Sequence, residues 1–512
     1  MTSNLHASMH DLATEAQVRD LVPEVHRVSQ RLRKRRTVAM AATVMAGLTL
    51  VVPLAATFVD RLDTNDRVGP VDTPTPTAPT PTQTSSPDLP AISAAHGFVY
   101  YAGGTDGRLV MFDDGEWADL ATLGRGAVAA AVSPDGTQVA WLTQPDGASG
   151  AVLWAADING VNRRILHEHP YYPIAAPMWS PDSRHVLIAV TPDDPASGDV
   201  ETALIDTETT EAIILNHVVG YCPTYTAGGF YLVVPTQDGL SIHGIDGGYP
   251  LREVSVDPSV SADSIVWVQS ASAGASQAFV QLSWGDGCPP GQSNALLDLR
   301  TGKKLRLPVE GDLLDGYFLP FGGMALRVAT GNGNELAWVA ADGSVSRTVD
   351  EPAQASGWDL LTYLPPAVDL PAPTDTNVFG PDGYGGLKLG MTLEQALASG
   401  EISPDADEEI SAPAEFASGC VHFVLRAHPD AGGFVTLTDG VAILFADEDM
   451  RTPEGIGIGS TVEEFKAAYP DYHEGENGLG APAPGTDNHY SIHGSGRIEG
   501  LVLTRPPAPC IG

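Results

Sequence analysis

The sequence predicts a mainly β protein. It reads as a ring of about six four-stranded blades (a β-propeller), followed by a small α+β domain and preceded by a transmembrane helix. Three observations predict this. AVSPDGTQVAWLT (Ala131–Thr143) is repeated in form by MWSPDSRHVLIAV (Met178–Val190), forty-seven residues further on. Glycine (55) and proline (41) together make about a fifth of the 512 residues, enough to set many turns. The third is TVAMAATVMAGLTLVVPLAATFV (Thr37–Val59), an uncharged run long enough to span a bilayer at about 20 helical residues.

Length suits two or three domains, and 43 % apolar residues can fill their cores. Net charge is −37 and unevenly placed. Residues 1–36 are net basic, so the rest of the chain is more acidic still. A body of that sign repels phosphate backbones, which excludes nucleic acid as its partner. The acidity reads as a solvated surface rather than as a cation site. Lysine is scarce beside arginine, the usage of a GC-rich bacterial genome.

Residues 1–36 read as a cytoplasmic segment. Val25, Val28 and Leu32 recur at helical spacing after Pro23 and predict a short juxtamembrane helix. RLRKRR (Arg31–Arg36) lies on one side of the apolar run, and Asp60, Asp63 and Asp66 on the other. By the positive-inside rule residues 37–59 are a single-pass anchor in the cell membrane, with the C-terminal domains extracytoplasmic. A cleaved signal peptide is the competing reading, but its charged segment would be unusually long and no A-x-A site closes it. Residues 60–93 contain PVDTPTPTAPTPTQTSSPDLP (Pro70–Pro90), a Pro/Thr-rich linker that stays extended at about 3.1 Å per residue.

Residues 94–365 read as the propeller. Proline presets φ at the second turn position of Ser133-Pro134-Asp135-Gly136, Asp bonds nearby amides, and Gly accepts positive φ. An apolar strand follows. YTAGGFYLVV (Tyr225–Val234), SADSIVWVQS from Ser261 and FGGMALRV near Phe321 read as degenerate copies, with starts about 35 to 60 residues apart. All eight tryptophans fall between Trp117 and Trp358. This SPDG-plus-strand motif resembles the TolB-like, WD-type bacterial β-propellers, over about 270 residues. The resemblance implies about six blades, with seven as the alternative count. It also implies a binding scaffold, a periplasmic transport component or the propeller part of a peptidase.

After a linker at residues 366–377, residues 378–512 read as a small α+β domain. GGLKLGMTLEQALASG (Gly385–Gly400) is echoed by EGIGIGSTVEEFKAAYP (Glu454–Pro470), which suggests an internal duplication. Thr392 with Gln395, and Thr461 with Glu464, have capping-box spacing. The strand–glycine–helix step resembles the half-domains of the β-lactamase inhibitor protein and of outer-membrane assembly lipoproteins, and no function is carried over from it.

The four cysteines, Cys222, Cys288, Cys420 and Cys510, form no C-x-x-C pair. Three pairings are open, and Cys222–Cys288 with Cys420–Cys510 keeps each bridge inside one domain. No catalytic residue, metal ligand set or cofactor motif is assigned. G-x-S-x-G is missing, although Gly494-Ser495-Gly496 and Ser149-Gly150 contain serine beside glycine. His167-Glu168-His169 and the pair His489 and His493 each lack a third metal ligand. PDDPASGD (Pro192–Asp199), SPDADEEI (Ser403–Ile410) and ADEDM (Ala446–Met450) lack calcium-loop spacing. Gly331-Asn332-Gly333-Asn334 reads as a hairpin turn.

The expected function is therefore a membrane-anchored extracytoplasmic binding or scaffold protein, with a protein or cell-envelope ligand of unknown binding residues. The alternative is a transmembrane sensor signalling through residues 1–36, in the layout of membrane-bound anti-sigma regulators but without their cysteine-containing zinc motif. A hydrolase active site in the propeller channel is the third reading.

Overall fold

The computed structural model describes residues 94–506, apart from 104–105, 145–150, 169, 171–175, 191–200, 216–217, 219–221, 237–238, 246, 257–263, 284–292, 367–371, 375, 405–419 and 476–477. The expected anchor at 37–59 and the segments flanking it lie outside the described residues, as do Cys288 and Cys510. Among the described residues no helix is long and apolar enough to cross a membrane.

Six four-stranded antiparallel sheets form the propeller. Blade 2 is Ala127–Val132, Gln138–Thr143, Val152–Asp157 and Arg164–His167, in that order from the ring centre outward. Blade 3 runs from Met178–Trp179 to Ala212–Ile214, blade 4 from Thr224–Tyr225 to Arg252–Ser255, blade 5 from Ser264–Ala271 to Lys303–Leu305, and blade 6 from Asp312–Phe318 to Val345–Asp350. Blade 1 is closed by both ends of the ring. Its strands Gly97–Ala102, Arg108–Asp113 and Glu116–Thr122 accept Asp359–Leu364 as the innermost strand, which pairs with Gly97–Tyr101. First strands of successive blades lie beside one another, and Asp359–Leu364 touches both its neighbours, Ala127–Val132 and Asp312–Phe318. Outermost strands such as Val345–Asp350 face water on most positions.

Each blade–blade junction has its own apolar cluster, because a strand buried on both faces offers one face to each neighbour. The junction of blades 6 and 1 is the most aromatic. Phe98, Tyr100, Phe112, Trp117, Trp338, Trp358 and Tyr363 pack edge to face or tilted, with centroids 4.7–6.4 Å apart.

The repeat is more regular than the sequence pattern suggests. The turns between first and second strands begin at Ser133, Ser180, Thr226, Ser272 and Leu319, at intervals of 46 or 47 residues. In each, the amide of the fourth residue donates to the carbonyl of the first, at 2.8–3.1 Å. The first hydroxyl caps the strand that follows: Ser133 Oγ accepts from Gln138 N (2.9 Å), Ser180 Oγ from His185 N (2.9 Å) and Ser272 Oγ from Gln277 N (3.1 Å). The expectation that SADSIVWVQS opens a repeat at Ser261 is corrected. Ser264–Ala271 is the strand before the turn, and the turn itself is Ser272-Ala273-Gly274-Ala275. Alanine and glycine carry no side-chain signature of the SPDG kind, and the apolar strand ahead of the turn is the stronger local pattern.

Among the described residues the C-terminal domain has two helices, an eight-stranded antiparallel sheet and a two-stranded one, Gly383–Tyr384 with Leu387–Lys388. Helix α1 (Leu393–Ala398) precedes strands Ile402–Pro404, Cys420–Leu425, Gly432–Thr436 and Gly440–Phe445. Helix α2 (Val462–Ala468) precedes His473–Gly475, Gly478–Pro482, His489–His493 and Gly500–Thr504. The two four-strand meanders meet where Gly440–Phe445 pairs with Gly500–Thr504. Both helices start with complete capping boxes, at Thr392 with Gln395 and at Thr461 with Glu464. Thr374 and Asn377, inside the stretch read as linker, are hydrogen-bonded into this domain. Thr374 Oγ1 donates to the buried Glu401 (2.5 Å), and Arg451 N to Asn377 O (2.7 Å).

Propeller and C-terminal domain share one core. Leu393, Ala396 and Leu397 of α1 belong to the same apolar cluster as Phe230, Tyr231 and Val233 of blade 4 and Val268, Ala271 and Ala273 of blade 5. Gly274 N donates to Glu394 Oε1 at 2.8 Å. At Gly228 a Cβ would lie 2.7 Å from Leu397 Cδ1 and 2.9 Å from Ala273 Cβ, so a larger residue would make the helix or the turn shift. The two degenerate turns, with small residues where Pro-Asp stands elsewhere, are therefore the seat of α1.

Candidate functional site

The histidines singled out in the sequence do not assemble among the described residues, and of the acidic runs PDDPASGD (Pro192–Asp199) and most of SPDADEEI (Ser403–Ile410) lie outside the described residues. His167 ends the outermost strand of blade 2, Glu168 is exposed, and His169 lies outside the described residues. His489 and His493 occupy one strand of the C-terminal sheet, four residues apart on its half-exposed face. His473, which the sequence reading passed over, meets His489 with ring centroids 6.1 Å apart. Among the described residues no group of three or more His, Cys, Asp or Glu is placed to hold a metal ion. In ADEDM, Asp447 shapes a turn by accepting Asp449 N (2.8 Å) and Met450 N (3.0 Å), and its other oxygen takes His428 Nδ1 (2.6 Å). Thr330 pairs with Gly333 across the Gly331-Asn332 turn, a hairpin. Cys222 and Cys420 are disulfide-bonded.

A serine–histidine contact lies in blade 4. Ser241 Oγ and His243 Nε2 are 2.9 Å apart, and His243 Nδ1 is 2.7 Å from Gly248 O. Both side chains are buried between blades 3 and 4, out of a substrate's reach. The geometry is that of a satisfied core histidine.

The densest chemistry lies at the ring closure. Arg327, on the second strand of blade 6, is buried and faces two buried carboxylates. Its Nε and Nη2 lie 2.9 and 3.0 Å from the two oxygens of Glu351, and Nη1 lies 3.3 Å from Asp315 Oδ2. Nη1 and Nη2 also donate to the carbonyls of Trp358 (3.2 Å) and Ala355 (3.3 Å). Glu351 further accepts from Tyr100 OH (2.8 Å) and Asn334 Nδ2 (2.8 Å). Among the described residues Asp315 accepts Gln269 Nε2 (3.1 Å) besides Arg327. Gln269 Nε2 also donates to Tyr317 OH (2.6 Å), which donates to Leu360 O on the closing strand (2.7 Å). The network thus joins blades 5, 6 and 1.

Burial pushes the Asp315 carboxyl up to about 8, against the pull of Arg327 and Gln269. Burial, with Glu351 next, holds the Tyr100 phenol well above its ordinary value, and burial does the same for Tyr317. Burial opposes the Arg327 charge, but Glu351 and Asp315 outweigh it and raise its pKa. The Arg327, Asp315 and Glu351 side chains of the cluster are buried from water. Sequence reading missed these residues because they span 251 positions. The one local sign is Arg327, a charge inside the apolar strand MALRVAT.

No protein-family model matches this sequence, and no curated protein matches it. Among solved structures the chain is similar to TolB from Acinetobacter baumannii, at 15 % identity and a TM-score of 0.35 over 50 % of this chain and 64 % of that one. It is similar to prolyl oligopeptidase B from Galerina marginata at 13 % identity and a TM-score of 0.33, over 50 % of this chain and 44 % of that one. The β-propeller domain of the Trilobed protease from Pyrococcus furiosus matches at 14 % identity and a TM-score of 0.31, over 51 % of this chain and 86 % of that one. The chain thus spans less than two thirds of the TolB chain and less than half of the oligopeptidase.

Proposed function

We propose that this chain is a membrane-anchored extracytoplasmic binding protein, and that its six-bladed propeller and C-terminal domain act as one rigid scaffold for a protein or cell-envelope ligand. The observation that carries the reading is the order of parts. A basic cluster, 23 uncharged residues at Thr37–Val59 and a Pro/Thr spacer precede a propeller whose blades 4 and 5 share their core with the C-terminal domain. Disulfide-bonded Cys222 and Cys420 suit an oxidising compartment. The pairings Cys222–Cys288 and Cys420–Cys510 belong to this proposal. A shared core keeps binding surfaces on the two domains at fixed separation, which a flexible tether would not.

The test uses the tagged full-length chain in its own cells. Fractionation and protease added to spheroplasts should find the protein in the membrane fraction, with the domains beyond residue 90 cleaved from outside. Crosslinking before detergent extraction should then recover an envelope component. A protein found wholly in the soluble fraction, or protected from external protease, refutes the placement. Membrane placement with no crosslinked component refutes the binding role.

A further inference from the structure

We propose that the seam between blades 6 and 1 is a one-proton latch: the ring closes with a proton held on the Asp315 carboxyl, and opening of the Asp359–Leu364 strand releases it. The argument is a count of buried charge. Asp315 and Glu351 share a single guanidinium, Arg327, and the three side chains are 8 % exposed or less. With both carboxylates ionised the cluster carries one uncompensated negative charge away from water, whose lost hydration nothing in the cluster repays. One proton removes it. The other groups facing the cluster cannot compensate: Tyr100 and Tyr317 are phenols kept neutral by burial, and Gln269 and Asn334 are neutral. Asp359, half-buried at the start of the closing strand, adds negative charge near Arg327.

The partners decide where the proton sits. Glu351 has both oxygens on the guanidinium and two further donors, Tyr100 and Asn334. Asp315 has one longer contact to Arg327 and one amide. Asp315 is therefore the protonated member. Its neighbours reach the closing strand through Gln269, Tyr317 and Leu360 O, and Arg327 holds Ala355 and Trp358 just ahead of that strand. Opening the seam returns Asp315 to water, where it ionises.

The sign follows from linkage. A carboxyl raised in the closed state stabilises that state fully below its solvated pKa, and the advantage is lost as pH rises towards the closed-state value. One proton released on opening makes the opening constant rise about tenfold per pH unit between those values. Hydrogen exchange of the full-length chain at pH 5, 6 and 7, corrected for intrinsic rates, tests this. Protection of residues 359–364 and 97–102 should fall about tenfold per pH unit relative to blade 3. Asp315→Asn should flatten that dependence. Glu351→Gln should flatten it too, because Asp315 would then ionise beside Arg327, and this variant serves if the first does not fold. Difference infrared spectroscopy should show a protonated carboxyl at pH 5 in the native chain that Asp315→Asn lacks. A seam whose protection follows blade 3 at every pH, or a native chain with no protonated carboxyl signal, overturns the latch.

Discussion

At the scale of single residues, the first-to-second-strand turns show how one φ angle is served by different side chains. The fourth position is left-handed in every copy: Gly136 (φ 71°), Ser183 (59°), Gly229 (78°), Ala275 (46°) and Gly322 (89°). Ala275 packs its methyl in the shared core but holds it where an L-residue is strained by about 1–2 kcal/mol. Ala275→Gly relieves that strain and loses the buried methyl at about 0.8 kcal/mol, so denaturant titrations should show a change within about 1 kcal/mol of the native chain. Gly136→Ala should destabilise the protein by about 1–3 kcal/mol, because its Cβ would also meet Ala95 O at 2.3 Å. Asp182 sets an acid limit in the same motif. Burial alone would raise its pKa, but His185, Ser180 Oγ and Arg184 N outweigh burial and bring it to about 2. Its contribution is present above the ordinary carboxyl value of 3.8 and is lost as pH falls towards 2. Thermal midpoints of Asp182→Asn and the native chain should converge on acidification across that window.

At the scale of elements, α1 decides how the two globular parts are joined. It has only six residues, too few to be stable alone, so tertiary contacts hold it. Leu397→Asp places a charge in the shared core, and calorimetry should then resolve two transitions where the native chain shows one. Glu394→Ala leaves the Gly274 amide without its carboxylate partner and should cost about 1–3 kcal/mol. Thr461→Ala removes the cap of α2 at about 1 kcal/mol and should leave the interdomain coupling unchanged, which separates local from interfacial loss. The capping boxes were legible in the sequence because the N-cap and the third helical residue lie three apart. The seat of α1 was not, because Gly228 and Gly274 are separated from the helix by more than a hundred residues.

At the scale of the whole molecule, stability rests on closing the ring and covering one sector of it. A chain ending at residue 365 keeps all six blades but strips α1 from Phe230, Tyr231 and the Ala271–Ala275 turn. That fragment should bind a hydrophobic dye and self-associate, whereas the chain extending to residue 512 should not. Binding experiments on isolated halves would then report exposed core rather than a native surface.

The sequence by itself determined the repeat, the strand-rich class and the two helix starts. Those features depend on neighbours within a few residues: a proline that presets φ, a hydroxyl that caps a nearby amide, an apolar run behind a turn. Only the tertiary structure decided that Asp359–Leu364 closes blade 1, that α1 sits on two reshaped turns, and that Arg327 gathers Asp315 and Glu351. The first two join positions far apart in the chain, the third joins groups 12 and 24 residues apart within blade 6, and burial supplies the energy that selects all three. Burial has no local pattern when the partners are small residues or single charges.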